Sequence, residues 1–351
     1  MRMSIFSKLI FGFLVACLSF ATLQAKDVVP VMVIHSGTSG LGLTEEEFSK
    51  RAEAMKESLK AGQAVLIRGG TAEEAVIAAI KVMEDNPIFN AGKGAVFNAD
   101  GENELDASIM DGKTKKAGAV AGAKHIKNPI EAAKLVKDKT WHTLIAGDGA
   151  DALAKQYGLE MVDQHYFFTQ NRYDSYLKAK EKEEKKSFID HEKIDAPKKT
   201  SSADLGLYTD PYLGTVGALA LDKEGNLAAG TSTGGMTNKM KGRIGDSPII
   251  GSGTYADNDG LAISCTGSGD IFMRVNAAHE ANVLYKYKKL TPTKAAEGAI
   301  QQVADLDGRG GIISLNAKGE TGFAWTKDKL GMYHGYARGN AEPVVVFPVA
   351  K

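Results

Sequence analysis

A threonine hydroxyl attacks a carbonyl only when a base removes its proton, and an α-amino group on the same residue can be that base, with a reference pKa of roughly 7.7 to 8.0. The stretch YLGTVGALALD, residues 212–222, offers such a threonine. Thr215 opens a pattern of small and apolar residues that reads as a buried strand, with Gly214 in front of it. Before that joint runs KEKEEKKSFIDHEKIDAPKK, which has no apolar periodicity. Thr215 gains a free amine only if the Gly214–Thr215 bond is cut. A loose segment could move away from such a cut, Gly214 tolerates a strained backbone, and the strand would hold Thr215 in place. Taken alone, a Gly-Thr pair is also an ordinary way to begin a strand.

The elements that must position Thr215 follow from hydrophobic patterning. VVPVMVIHS reads as a first strand. Two helical patterns follow, from Thr44 and Thr71, each opened by a capping threonine with acidic residues in the first turn. After the tight segment DNPIFNAGKGAVF, NELDASIMDG and AGAVAGAKHI read as two strands buried on both faces. NPIEAAKLVKD and GADALAKQYG read as helices that close a first half at about residues 28–165. From about 168 to 210 Lys, Glu and Asp dominate, predicting a solvated, disordered linker with at most a helix over 173–186. Beyond it TVGALALD, NLAAGTSTGG, SPIIGSGTYAD and GLAISCTG read as short strands. DIFMRVNAAHEANVLYKYKK and PTKAAEGAIQQVADL read as helices, and GGIISLNAKGETGFAWTK as a hairpin turning at NAKGE. Neither half covers its own apolar faces. The expected fold is therefore α+β, with two stacked sheets between outer helices in a four-layer αββα sandwich built from both halves.

Bulk properties narrow the partners. The 351 residues carry 43 basic and 43 acidic side chains, so no net charge marks a nucleic-acid or anionic-membrane surface. A small-molecule or peptide substrate is expected instead. Residues 1–25 read as a cleaved secretory signal: a basic start, the apolar run LIFGFLVACLSF, too short to span a bilayer, and small residues before KDVV. The expected location is periplasmic or secreted. LVAC, ending at Cys17, is also similar to a lipoprotein cleavage box. A cut after Ala25 leaves Cys265 alone, which excludes an internal disulfide and a cysteine metal site. The seven histidines have no ligand spacing, and His35 and His334 are expected to be structural.

Three segments carry a family resemblance: EDNPIFNAGKGAVFNADGENELDASIMDG, the stretch from GTVGALALD to GRIGDSPIIGSGTYADN, and CTGSGD. Through them the chain resembles the plant-type L-asparaginases and isoaspartyl peptidases, threonine-type N-terminal nucleophile hydrolases. The resemblance implies self-cleavage before Thr215 into an α chain (26–214) and a β chain (215–351) that remain together as a heterotetramer of two α and two β chains. It implies hydrolysis of L-asparagine and β-aspartyl dipeptides without a catalytic cofactor. By the same resemblance Thr215 is the nucleophile and Thr233 the hydroxyl beside it. Arg243 and Asp246 grip the substrate's α-carboxylate and α-amine, where a planar guanidinium forks onto one charge and a carboxylate accepts from the other. Thr266 and Gly267 form the oxyanion hole. Gly269 lies near the substrate, and Asn90 supports the nucleophile's surroundings. Residues 83–93 match a loop whose carbonyls, on Met83, Glu84, Asn86, Phe89, Ala91 and Lys93, would hold a structural sodium ion.

The chain also departs from that family. IHSGTSG stands where HGGAG is usual, so Ser36 and Thr38 replace small residues; Ser268 replaces a more usual threonine, and IAGDGA a common LSGEGA. Two other readings use the same residues: a glycosylasparaginase-like amidase, whose motif around the nucleophile normally differs from YLGTVGAL, and an uncleaved, inactive homologue.

Overall fold

The computed structural model describes residues 28–40, 44–190, 214–326 and 330–347. The segment 1–25, expected to be a signal, and residues 191–210 of the expected linker lie outside these. Helices α1 (Glu45–Ile67) and α2 (Ala72–Glu84) begin as the sequence predicts. The Thr44 and Thr71 hydroxyls accept from the Glu47 and Glu74 N–H groups, and each glutamate reaches back to its threonine's N–H. Further along come α3 (Pro129–Lys139), α4 (Asp148–Gln156), α5 (Gln170–Asp190), α6 (Gly269–Val275), α7 (Ala277–Lys288) and α8 (Pro292–Asp305).

The strands are β1 (Val31–Gly40), β2 (Leu105–Asp111), β3 (Ala117–Ala123), β4 (Leu144–Ala146), β5 (Val216–Leu221), β6 (Leu227–Thr233), β7 (Thr254–Ala256), β8 (Leu261–Gly267), β9 (Gly310–Asn316), β10 (Thr321–Trp325), β11 (Leu330–Arg338) and β12 (Val344–Val346). They form an eight-stranded sheet ordered β12-β11-β1-β5-β6-β2-β3-β4 and a four-stranded sheet ordered β10-β9-β8-β7. The chain after Gly214 thus supplies the middle of the large sheet: β5 and β6 lie between β1 and β2. Both are buried at every residue, as small, two-sided strands must be.

Three apolar clusters form. Leu59 of α1 and Val76 and Ile80 of α2 pack on Ile109, Val120 and Ala218 of the large sheet. Phe272 of α6 and Ala299 and Val303 of α8 pack on Ile263 and Ile312 of the small one. A third joins side chains of both sheets, including Val33, Leu219, Leu227, Ala262 and Ile313. Removing the Leu, Val, Ile and Phe side chains among these from water stabilises the fold by roughly 1.5–3 kcal/mol each.

Several expectations need correction. The stretch expected as linker begins as helix α5, three residues ahead of 173, and its first turns are packed. Arg172 is buried with Nε donating to the Gly94 carbonyl at 2.8 Å, Tyr176 donates to the Ala99 carbonyl at 3.3 Å, and Phe97 meets the rings of Phe168, Tyr173 and Tyr176. The charged majority hid an anchoring face one residue wide per turn. DIFMRVNAAHEANVLYKYKK is two helices, broken where Asn276 takes a left-handed φ of 49°. SPIIGSGTYAD is mostly turn, and only Thr254–Ala256 pairs as a strand. Strands β4, β11 and β12 were not read from the sequence.

Candidate active site

Val216 pairs with Ser232 across the β5–β6 ladder, so one step further sets Thr215 opposite Thr233. The Thr215 hydroxyl donates to Thr233 Oγ1 at 3.1 Å, and the buried Thr233 also accepts from the Gly235 N–H at 3.0 Å. Asn90 braces that turn. Its amide donates to the Gly235 carbonyl at 2.8 Å, its side-chain oxygen accepts from Val96 N–H at 3.1 Å, and its own carbonyl accepts from Gly234 N–H at 3.1 Å. Asn90 therefore holds the backbone after Thr233.

Gly214 packs against the irregular part of β1, where the register shifts between His35 and Thr38. A Cβ on Gly214 would fall 2.4 Å from the Ser36 carbonyl and 2.8 Å from Gly37 Cα. The departure IHSGTSG is thus in contact with the joint before Thr215. Its backbone is held from the helix side, where Arg51 donates to the Ser36 carbonyl at 3.2 Å and the Ser36 hydroxyl meets Met55 Sδ at 3.3 Å.

Arg243, Asp246 and Gly269 come together. A Cβ on Gly269 would lie 2.8 Å from Asp246 Oδ1 and 3.0 Å from Arg243 Nη2, so the missing side chain is what lets α6 approach both. Burial raises the Asp246 carboxyl to about 6, with the Arg243 charge pulling it back. Arg243 Nε and Asp246 Oδ2 are buried and find no hydrogen-bond partner among the described residues. A donor on a cation and an acceptor on an anion, both unsatisfied in one place, suit a ligand carrying a carboxylate and an ammonium on one carbon. Arg243 Nη2 is taken by Asp270 Oδ2 at 2.5 Å, a partner that sequence reasoning missed.

Thr266 and Gly267 end β8, opposite Gly311 and Gly310 of β9. A buried polar chain that the sequence did not disclose ties β8 to the large sheet. His35 Nε2 lies 2.8 Å from Ser264 Oγ, Ser264 lies 2.7 Å from Thr231 Oγ1, and Thr254 bridges Thr231 (2.6 Å) to Ser108 (2.7 Å). The alternation in GTSTGG was its one visible signal: Thr231 faces this chain while Ser232 faces the helices.

His35 and His334 sit across from each other on β1 and β11. Burial drives His35 to about 3, a hydrogen-bonding interaction with the Thr215 backbone offsetting part of the drop and the neighbouring His334 adding to it. His334 is also lowered by burial, stacks on Phe323 at 4.2 Å, and has Nδ1 2.9 Å from the Met332 carbonyl. At neutral pH the imidazole nearest Thr215, that of His35, is therefore neutral and bonded to Ser264.

In the 83–93 loop, turn N–H groups already bond three of the six carbonyls: Asn86 to Met83 (3.3 Å), Phe89 to Asn86 (3.2 Å) and Gly94 to Ala91 (3.2 Å). A Cβ on Gly94 would fall 2.0 Å from the Phe89 carbonyl and 2.5 Å from that of Pro87, and one on Gly92 2.4 Å from that of Glu84. Neither glycine can therefore carry a side chain, because the turn folds its backbone carbonyls against both. Among the described residues no group of three or more His, Cys, Asp or Glu side chains could hold a metal.

Behind the loop, the buried Glu84 carboxyl accepts from Ser232 Oγ at 2.7 Å and Ile130 N–H at 3.0 Å, and burial raises it to about 8. Because the folded state holds this proton above the unfolded value, stability falls as pH rises from about 4.5 to about 8. Glu84→Gln is expected to flatten that decline in melting experiments between pH 5 and pH 9; an unchanged slope would mean that Glu84 does not cause it.

The model of the asparaginase family matches residues 28–347. The isoaspartyl peptidase of Escherichia coli (strain K12) is 40% identical over 311 residues, 88% of this chain and 93% of its own. The isoaspartyl peptidase/L-asparaginase of Mus musculus is 40% identical over 306 residues, 87% of each chain. That of Bos taurus is 38% identical over 301 residues, 86% of this chain and 91% of its own.

Proposed function

Because the chain belongs to the asparaginase family, we propose that it is a hydrolase that cleaves β-aspartyl dipeptides and L-asparagine, releasing L-aspartate, with Thr215 as nucleophile after the chain cuts itself between Gly214 and Thr215. The observation that carries this reading is the socket beside Gly269, with its unsatisfied Arg243 Nε and Asp246 Oδ2, on the same chain as the Thr215–Thr233 hydroxyl pair. In the reaction Arg243 takes the α-carboxylate and Asp246 the α-ammonium, which presents the β-carbonyl to Thr215 Oγ1. The Thr215 α-amine accepts the hydroxyl proton as the C–O bond forms. Thr266 and Gly267 face the oxyanion. The amine then returns the proton to the leaving nitrogen, ammonia or a peptide amine, as the C–N bond breaks. Water attacks the resulting ester by the same route and frees aspartate. A denaturing gel with N-terminal sequencing tests the reading: two fragments are expected, the smaller starting at Thr215, and an active sample made only of uncut chain overturns it.

The acidic side of the pH profile then has two owners. The amine must be unprotonated to act, and burial lowers it from its reference value near 8. Asp246 must be ionised to hold an ammonium, and it gains its proton as pH falls through about 6. kcat/KM is therefore expected to fall as pH drops through the amine's pKa and to steepen below about 6, where Asp246 takes up its proton. His334→Gln should leave the limb in place, while selective acetylation of the Thr215 amine should remove activity. Loss of the limb in the histidine variant, with activity surviving acetylation, would overturn the assignment of the base.

The remaining parts of the proposal rest on the same family. Three apolar clusters, two under helices and one between sheets, support a four-layer αββα arrangement. The 83–93 loop would hold a sodium ion through the carbonyls of Met83, Glu84, Asn86, Phe89, Ala91 and Lys93, a structural role outside the chemistry. The cut chains would assemble as two α and two β chains, and the segment 1–25 would direct the protein to the periplasm or outside the cell.

A further inference from the structure

Asp270 stands at the second residue of α6, directly after Gly269, with its side chain 60% exposed. Its carboxylate holds Arg243 Nη2 at 2.5 Å, while the guanidinium itself is largely covered, at 16%. A substrate α-carboxylate that forks onto Arg243 needs two N–H groups in one plane. Among the described residues Nε has no hydrogen-bond partner, but Nη2, the nitrogen nearest Gly269, already donates one N–H to Asp270. The two carboxylates cannot share it without like-charge repulsion.

We propose that Asp270 is an internal competitor for the substrate-binding arginine: it occupies Arg243 in the free enzyme and is displaced by the incoming α-carboxylate, so it sets how weakly the site holds aspartyl groups. This rests on the assignment of Arg243 above and adds a residue that tunes affinity for both substrate and product. Asp270 suits displacement because its carboxylate is exposed and can return to water, whereas the buried Asp246 cannot. An exposed ion pair is a modest opponent, and removing the competing charge is worth about fivefold in affinity, equal to about 1 kcal/mol.

The test is calorimetric binding of L-aspartate to the processed enzyme, together with KM for a β-aspartyl dipeptide, in wild type, Asp270→Asn, Asp270→Glu and Arg243→Lys. Asp270→Asn is expected to bind aspartate about fivefold more tightly and to lower KM in step. Asp270→Glu, which keeps the charge, should stay near wild type. Unchanged or weaker binding in Asp270→Asn overturns the proposal, because a carboxylate that merely aligned Arg243 would lose affinity when removed. The outcome that sinks the parent reading is different: wild type and Arg243→Lys would bind aspartate equally well, or neither would bind it. Melting curves of each variant exclude loss of folding as the source of a weaker signal.

Discussion

Thr215→Ala is expected to leave the protein as a single uncut chain and to lower turnover of β-aspartyl dipeptides by about 10⁴-fold or more. One oxygen serves both reactions. In the precursor it attacks the Gly214 carbonyl, and in the processed enzyme it attacks the substrate, so its removal ends each. The substitution should do little to the fold. Thr215 lies at the edge of β5, its described side-chain bond is the one to Thr233 Oγ1, and Thr233 keeps the Gly235 N–H as a partner. Melting should therefore stay within a few degrees of wild type. Thr215→Ser retains hydroxyl and amine and is expected to cut itself and keep measurable activity. An Ala variant that still processes, or that turns over at more than about a hundredth of the wild-type rate, would remove Thr215 from the mechanism.

Arg243→Lys is expected to cost about 30-fold in kcat/KM, equal to about 2 kcal/mol, although it preserves the charge. Lysine offers a point charge where the site uses a planar fork. In the structure one edge of that fork meets Asp270, and Nε is buried without a hydrogen-bond partner among the described residues. A lysine ammonium reaching this place would satisfy neither geometry and would leave Asp246 with a weaker counter-charge. The loss should appear mainly in KM, since Arg243 grips a part of the substrate that does not react. Unaltered kinetics in this variant would place Arg243 outside the site.

The sequence alone determined the local elements, and its family resemblance proposed the chemistry. The strand start at Thr215 was legible because small and apolar residues begin there after a charged run, while the reading of Gly214–Thr215 as a cleavage joint came from that resemblance. The capping threonines of α1 and α2 were legible because a cap is a contact between residues three apart, whereas the pairing of Arg243 with Asp246 was suggested only by the family resemblance of GRIGDSP. Local periodicity also gave β2, β3, β5 and β6, whose two-sided burial shows as unbroken small and apolar residues. What only the tertiary structure decided are the contacts made across the chain. Nothing in GRIGDSP or CTGSGD says that Asp270 closes on Arg243, since 26 residues separate the two and the pair exists only because Gly269, at the start of α6, lets that helix approach Arg243 and Asp246. The neutral state of His35, the bonds of Glu84 to Ser232 and Ile130, and the Ser108–Thr254–Thr231–Ser264 chain likewise depend on burial and on partners from other strands and helices. The anchoring of α5 was missed for the same reason: Arg172 and Tyr176 look like solvated residues until the Gly94 and Ala99 carbonyls are beside them. Patterning reports which face of an element is buried. It carries no information about which distant polar group waits on the other side, and in this protein burial among those groups shifts the pKa values of His35, Glu84 and Asp246.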